Sequence, residues 1–273
     1  MIGLTWWAGS PTLQAAGILR ITEVMSSSGT GGTPDWFELS NVGDAAVDIT
    51  GWKMDDNSFS SNLAVSLNGV TNIASGESVV FIEDATTNNV AAFKSFWGGM
   101  TNKQVGTYTG SGVGLSSSGD GVVVFDAAGT EINRVSFGAA TTGSSFYWVY
   151  DSSGNVASAT SGTLSSSGTL GAYTSTTNST YTVTNTASPG TRATALALAF
   201  TSSGDKFAKT GTLYSYNVTY QKRLSTDPEP TLSAVTKPAW LSVSGTTVSG
   251  TPGTNNIATN QTVTLRLTSG GIS

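Results

Sequence analysis

Apolar and polar residues alternate with a period of two through much of the first half of the chain. In Trp36-Phe-Glu-Leu39, Phe37 and Leu39 flank Glu38, and in Ala46-Val-Asp-Ile49, Val47 and Ile49 flank Asp48. Such alternation marks strands with one buried face, so Phe37, Leu39, Val47 and Ile49 are expected in a core. Ser78-Val-Val-Phe-Ile82 is a continuous apolar run behind the turn Ala74-Ser-Gly-Glu77 and predicts a strand covered on both sides. Val122–Phe125 and Glu131–Phe137 predict a hairpin around Asp126-Ala-Ala-Gly129, where glycine can take the positive φ the loop requires. Helical periodicity is almost absent. Its one instance is Val90–Trp97, where Val90, Phe93 and Trp97 are spaced for one face over about two turns.

From residue 141 to 186 the chain is rich in Ser, Thr and Gly. Phe146-Tyr-Trp-Val-Tyr150 and Tyr181-Thr-Val-Thr184 interrupt that composition and argue against simple disorder. Long loops folded onto the first domain are expected, closed by Ser188-Pro-Gly190. Beyond residue 195, Pro238 fixes φ ahead of a strand bearing Trp240 and Leu241, and Gly250 with Pro252 makes the turn before the last strands. Trp52 is expected to plug the end of the first sandwich and Trp240 the core of the second.

Three linked signatures, Ile21-Thr-Glu-Val24, Asp35-Trp-Phe-Glu-Leu39 and Asp48-Ile-Thr-Gly-Trp52, precede Ser118-Gly-Asp-Gly-Val-Val-Val-Phe125 and Gly129-Thr-Glu-Ile-Asn-Arg-Val135. Together they resemble the lamin-tail type of immunoglobulin-like sandwich, a module of bacterial secreted proteins. Leu213-Tyr-Ser-Tyr-Asn-Val218, Lys237-Pro-Ala-Trp-Leu241 and Val248-Ser-Gly-Thr-Pro252 resemble the immunoglobulin/cadherin-like repeats of bacterial surface proteins. The resemblances imply an all-β chain of two tandem immunoglobulin-like β-sandwiches. Residues 1–17 form an N-terminal arm or leader remnant, 18–190 a lamin-tail-like sandwich with Ser/Thr-rich loops, and 195–273 an immunoglobulin/cadherin-like sandwich.

Composition narrows the function classes. A chain of 273 residues with 38% hydrophobic residues can fill two sandwich cores. Charged residues are only 11% of it, against about 25% in typical domains, so hydroxyls and amides carry the solubility, as suits an exported protein. With a formal charge of -5 and scattered Lys and Arg there is no basic stripe to neutralise phosphates, which excludes nucleic acid as a partner. Cysteine is absent, removing disulfides and thiolate chemistry. Pro11–Gly17 resembles the end of a signal peptide, although residues 1–10 lack a basic start and an apolar run of about seven residues. The longest late apolar run, Ala195–Phe200, falls far short of the roughly 18 residues of a membrane helix, so no membrane insertion is expected.

Histidine is also absent, which removes the commonest general base, the Ser-His-Asp triad and most zinc sites. Ser203-Gly-Asp-Lys206 and Lys209-Thr-Gly211 match S-x-x-K and K-T-G patterns. Penicillin-recognising enzymes carry these motifs far apart, the first opening a helix; here they are nearly adjacent in a β-rich stretch and read as coincidence. Asp55 with Asp56, and Glu83 with Asp84, place two acidic loops where they could meet at one end of the sandwich. Asp55, Asp56, Asp227 and Glu229 are the calcium candidates, without the spaced carboxylates of a dedicated calcium loop. No other cofactor is expected.

Among seven tryptophans, Trp36, Trp52 and Trp240 belong to fold signatures, while Trp97 and Trp148 are candidate platforms for a sugar ring. Trp6 and Trp7 stand in the arm, where two adjacent indoles left in water would be costly. They are the assembly candidates, docking on a second copy by strand addition at a sheet edge. The expected role is a non-catalytic extracellular structural protein: a subunit of a bacterial surface or filament assembly, or part of an adhesin, forming homo-oligomers or polymers through sheet edges and the arm. The alternative is a carbohydrate-binding accessory module of a secreted hydrolase, with a surface polysaccharide as partner.

Overall fold

The computed structural model describes residues 16–151, 153–192, 198–202, 204, 207–222, 229–256 and 261–268. The chain divides into two compact units, residues 1–193 and 194–273. In chain order the first unit contains β1 (Leu19–Met25), β2 (Trp36–Asn41), β3 (Val47–Asp48), β4 (Lys53–Asp55), β5 (Val65–Ser66), β6 (Asn72–Ile73) and β7 (Ser78–Glu83). Helix α1 (Val90–Trp97) follows, then β8 (Val105–Tyr108), β9 (Asp120–Phe125), β10 (Glu131–Phe137), β11 (Phe146–Tyr147), β12 (Thr163–Leu164), β13 (Tyr173–Thr174) and β14 (Thr186–Ala187).

Two sheets form the first sandwich. One runs in the order β12-β11-β1-β2-β7-β8, the other β10-β9-β4-β5. Their inner faces share a core that includes Ile21, Val24, Phe37, Leu39, Phe81, Met54, Val122, Val124 and Trp52. Phe37 and Phe81 stack in this core with centroids 5.5 Å apart. Phe37, Leu39 and Ile49 are buried, as alternation predicts, and Val47 is half-buried on short β3. The β9–β10 hairpin closes through Asp126–Thr130, with Gly129 at φ 84°. β7 and β8 pair in parallel, a geometry that requires a crossover, and α1 lies within that connection.

The six-stranded sheet is covered on its second face too. Met25, Trp36, Val80 and Ile82 point away from the sandwich interior and form a second core with Phe93, Phe96 and Trp97 of α1 and with Tyr181 and Ala187. This double burial explains the unbroken apolar run of β7, every residue of which is buried except half-buried Glu83. Segment 173–190 lies over the helix and this face as a strap. Tyr173 Oη donates to the Trp97 carbonyl (2.6 Å), Asn178 Nδ2 to that of Ala92 (2.9 Å) and Thr182 N to that of Gly31 (2.8 Å).

The second unit contains β15 (Ala199–Phe200), β16 (Tyr214–Asn217), β17 (Tyr220–Gln221), β18 (Thr231–Thr236), β19 (Leu241–Ser244), β20 (Thr247–Gly250) and β21 (Thr264–Thr268). Its sheets are β16-β20-β19, β18-β21 and β15-β17, around a small core of Val218, Leu232, Leu241, Val248 and Leu267. Trp240 is not the plug of this core. Leu241 takes the inward position, and Trp240, just before β19, packs on the rim, perpendicular to Tyr214 with Nε1 donating to Gln261 Oε1 at 2.8 Å.

Trp52 is buried in the inter-sheet core of the first unit. Trp52→Ala is expected to destabilise that unit by about 3–5 kcal/mol through lost burial and the cavity left behind, read as a lower denaturant midpoint at unchanged slope.

Candidate functional site

The most unusual chemistry in the first unit lies inside two fold signatures, at Glu23 and Glu38. The two are cross-strand partners in the β1–β2 ladder, and a bulge between Ile21 and Glu23 sets their register. The bulge is visible in the packing: Ile21 and Val24, three residues apart, both face the inter-sheet core, which a regular strand forbids. The extra residue turns Thr22 and Glu23 together onto the second face, opposite Glu38.

Both carboxyls are removed from water and fully hydrogen-bonded. Glu38 Oε1 accepts from Thr22 Oγ1 (2.6 Å) and Ser40 Oγ (3.2 Å), and Oε2 from the Gly190 amide (2.7 Å). Glu23 Oε1 accepts from Ser145 Oγ (2.6 Å) and the Ser188 amide (2.9 Å), and Oε2 meets Ser188 Oγ at 3.1 Å. Further hydroxyl contacts, Ser40–Ser78 (2.6 Å) and Ser145–Ser165 (2.7 Å), extend the network across the sheet. Gly190 sits at φ 75°, a left-handed conformation that glycine adopts without penalty, with its amide on Glu38.

Burial, followed by the nearby charge of Glu38, pushes the Glu23 carboxyl up to about 8. Burial also raises Glu38, against the opposing pull of Thr22, Gly190, Ser40 and Lys103. The pair therefore retains a proton at neutral pH, and a protonated Glu23 Oε2 can donate to Ser188 Oγ. The cavity beside the pair, lined by Thr22, Glu38, Ser165, Ser188 and Arg192, has about 10 Å³ of free space, room for one water. A substrate does not fit. The arrangement is that of an internal fastening.

A second acidic group caps one end of the sandwich. Asp35, Glu83 and Asp120 act on one another there, and burial followed by Glu83 and Asp120 pushes the Asp35 carboxyl up to about 7. Tyr108, fully buried, has a hydroxyl without a partner; burial and then the same three carboxylates raise it further. Asp120 accepts the Asn57 amide at 3.2 Å, so the 55–60 turn and Glu83 converge on Asp120. Asp84 turns away to hold the start of α1, accepting from Thr86 and the Asn89 amide.

Asp55 Oδ2 accepts Ser58 Oγ (2.6 Å) and the Ser60 amide (2.7 Å), and Asp56 accepts the Ser58 amide, so both carboxylates shape one turn. Glu229, in the second unit, accepts from Lys222 (2.9 Å) and Tyr220 (2.6 Å). Among the described residues no three His, Cys, Asp or Glu side chains are placed to hold a metal ion. Asp227, Trp6 and Trp7 lie outside the described residues, as do Ser203 and Lys206.

The sugar-platform reading of Trp97 and Trp148 is overturned. Trp97 is 1% exposed, packed edge-on against Trp36, Phe96 and Tyr173 beneath the strap. Trp148 is 2% exposed in the inter-sheet core, with Nε1 donating to the Thr160 carbonyl at 3.0 Å. Trp97 is covered by the strap, with Tyr173 lying 76 residues further on, and Trp148 by the nearby turn that carries Thr160 and Gly162. In the second unit an open groove of about 280 Å³ lies along Leu198, Phe200, Val235, Leu265 and Leu267.

Residues 12–139 match the family model of the Lamin Tail Domain. The first unit thus carries a lamin tail domain, an immunoglobulin-like β-sandwich module of a family not known as catalytic. Glu23 and Glu38 fall inside the match, whereas Ser145, Ser165, Ser188 and Gly190, which fasten them, fall beyond its end. No curated protein matches the chain.

The folded state holds the Glu23 proton more tightly than the unfolded chain does. Its contribution to stability is full below the usual 4.5 and is lost as pH rises through about 8. Asp35 acts in the same direction between its usual 3.8 and about 7. Wild-type unfolding free energy is therefore expected to fall from pH 4.5 to pH 8, by about 1.4 kcal/mol per pH unit for each proton involved. Glu23→Gln should show a smaller fall than wild type, and Glu23→Gln with Asp35→Asn a smaller one still, Glu38 keeping its own share, in chemical denaturation at a series of pH values.

Proposed function

We propose that this protein is a non-catalytic structural component of a bacterial extracellular or cell-surface assembly, with the lamin-tail-like sandwich as scaffold and sheet edges with the N-terminal arm as contact surfaces. The observation that carries the reading is the β18–β21 ribbon of the second unit. It is a two-stranded sheet whose outer edges have no strand partner among the described residues. Val235 of β18 is 53% exposed and Phe200 of β15 42% exposed along the apolar groove. Unpaired N–H and C=O groups next to exposed apolar side chains favour strand addition by a second copy. The first unit supports a scaffold role in the opposite way, since the Glu23–Glu38 pair and the indoles of Trp36, Trp52, Trp97 and Trp148 are engaged in its own packing.

The low charge of the chain suits close packing of copies. The arm carries Trp6 and Trp7, whose burial against a neighbour would contribute a few kcal/mol of contact energy. The carbohydrate-binding alternative needs exposed rings, and Trp97 and Trp148 do not provide them.

Light scattering of purified protein is expected to report mass above that of the 27.9 kDa monomer, rising with concentration. Deleting residues 2–14, or placing a charge on the edge with Val235→Lys, should shift the population toward monomer. A wild-type protein that stays monomeric at all concentrations would sink the proposal.

A further inference from the structure

The strap is fastened to the sheet at two chemically distinct places. Over α1 the contacts are carbonyl hydrogen bonds and aromatic packing, with Tyr181 edge-on to Phe96 at 5.4 Å. At its C-terminal end the strap sits on the acid pair: the Ser188 amide and hydroxyl go to Glu23 and the Gly190 amide to Glu38. Between these places the β13–β14 ladder pairs only two residues on each strand, Asn185 Nδ2 donates to the Ser28 carbonyl (2.9 Å), and Thr186 exchanges backbone hydrogen bonds with Gly143 (2.7 Å) and Ser145 (3.2 Å), all of which must break for the end to lift.

We propose that Glu23 and Glu38 form a proton-operated latch for this strap. With a proton on Glu23 the strap is closed over the second core. With both carboxylates charged, the end around residues 186–190 lifts, water reaches the pair, and the aromatic face containing Trp36 and Trp97 is uncovered.

The geometry favours opening at this place. Like charges directly opposite each other on neighbouring strands repel, and at a pair buried this deeply bulk solvent screens them little. Among the described residues no cation faces Glu23 to offset a second charge; the Ser145 and Ser188 donors favour that charge, but less than burial and Glu38 oppose it. β11 places Tyr147 opposite Glu23 in the ladder, and Tyr173 approaches from the strap; both are neutral phenols at these pH values. The cations act on the other member, Lys103 from the connection between α1 and β8 and Arg192 from the end of the strap. They favour a charged Glu38 and leave Glu23 as the group that titrates. Short ladders and local contacts are also what open first in a folded domain.

Hydrogen exchange of the full chain at pH 6.5 and 9, corrected for intrinsic rates, tests the latch. Protection of the Thr186, Ser188 and Gly190 amides should fall about tenfold per pH unit above about 8, while Val122–Phe125 in β9 keep theirs. Trp36 and Trp97 should show a parallel red shift in fluorescence. In Glu23→Gln the strap amides should be equally protected at both pH values, and Glu38→Gln, which removes the opposing charge, should also keep the strap closed at pH 9. The latch is overturned if wild-type protection at 186–190 does not change, if β9 loses protection together with the strap, or if either Gln variant opens as the wild type does.

Discussion

Two carboxyl groups buried face to face on adjacent strands set the terms for the rest of the first unit. Removing even one ionised carboxylate from water costs several kcal/mol, and unpaired acceptors add to that. Glu23 and Glu38 can exist in this place only if donors surround them and one of them keeps a proton. Thr22 and Ser40 come from the same sheet, but Ser145, Ser165, Ser188 and Gly190 arrive from segments more than 100 residues away. The acid pair therefore requires the strap, and the strap requires the acid pair as its anchor.

Covering the second face of the sheet has consequences for packing. A sandwich ordinarily turns one side of each sheet to water; here β2 and β7 are buried on both faces. Trp36 can then lie edge-on to Phe93 and Trp97 at about 6 Å, in the perpendicular arrangement that aromatic quadrupoles favour. The helix brings its aromatic side chains to that face while completing the crossover to parallel β8, so one short element serves both connection and core.

Local pattern made much of this fold legible. The alternation around Phe37 and Leu39, the continuous run of β7, the helix at Val90–Trp97 and the Gly129 hairpin all follow from residues within a few positions of one another. The site was hidden by the same logic. Glu38, between two core residues, reads as the solvent-facing member of an amphipathic strand, and only its cover, about 150 residues later, makes it interior. One signal was present: Trp36 shares a face with Glu38, and the run at Val79–Ile82 supplies apolar side chains to both faces of the neighbouring strand, so that face could not have been wet. Trp97 and Trp148 misled for a related reason, because the segments that bury them carry no periodicity of their own.

Hydroxyl-rich composition and the acid pair belong to one physical solution. A lysine or arginine set directly against Glu23 would have made a permanent ion pair and removed its sensitivity to protons. Serine and threonine can donate to a carboxylate or accept from a carboxylic acid by rotating one bond, so the same network serves either protonation state. They do so without bringing a compensating charge, which leaves the Glu23 carboxyl far above the usual carboxylate range. The backbone amides of Ser188 and Gly190 lack that freedom, since they only donate and their positions are fixed by the chain. Each amide bonds a charged carboxylate more strongly than a neutral one, so no single strap contact is lost on ionisation; what opposes a second charge is burial and the facing carboxylate, and both are relieved only when water enters beneath the strap.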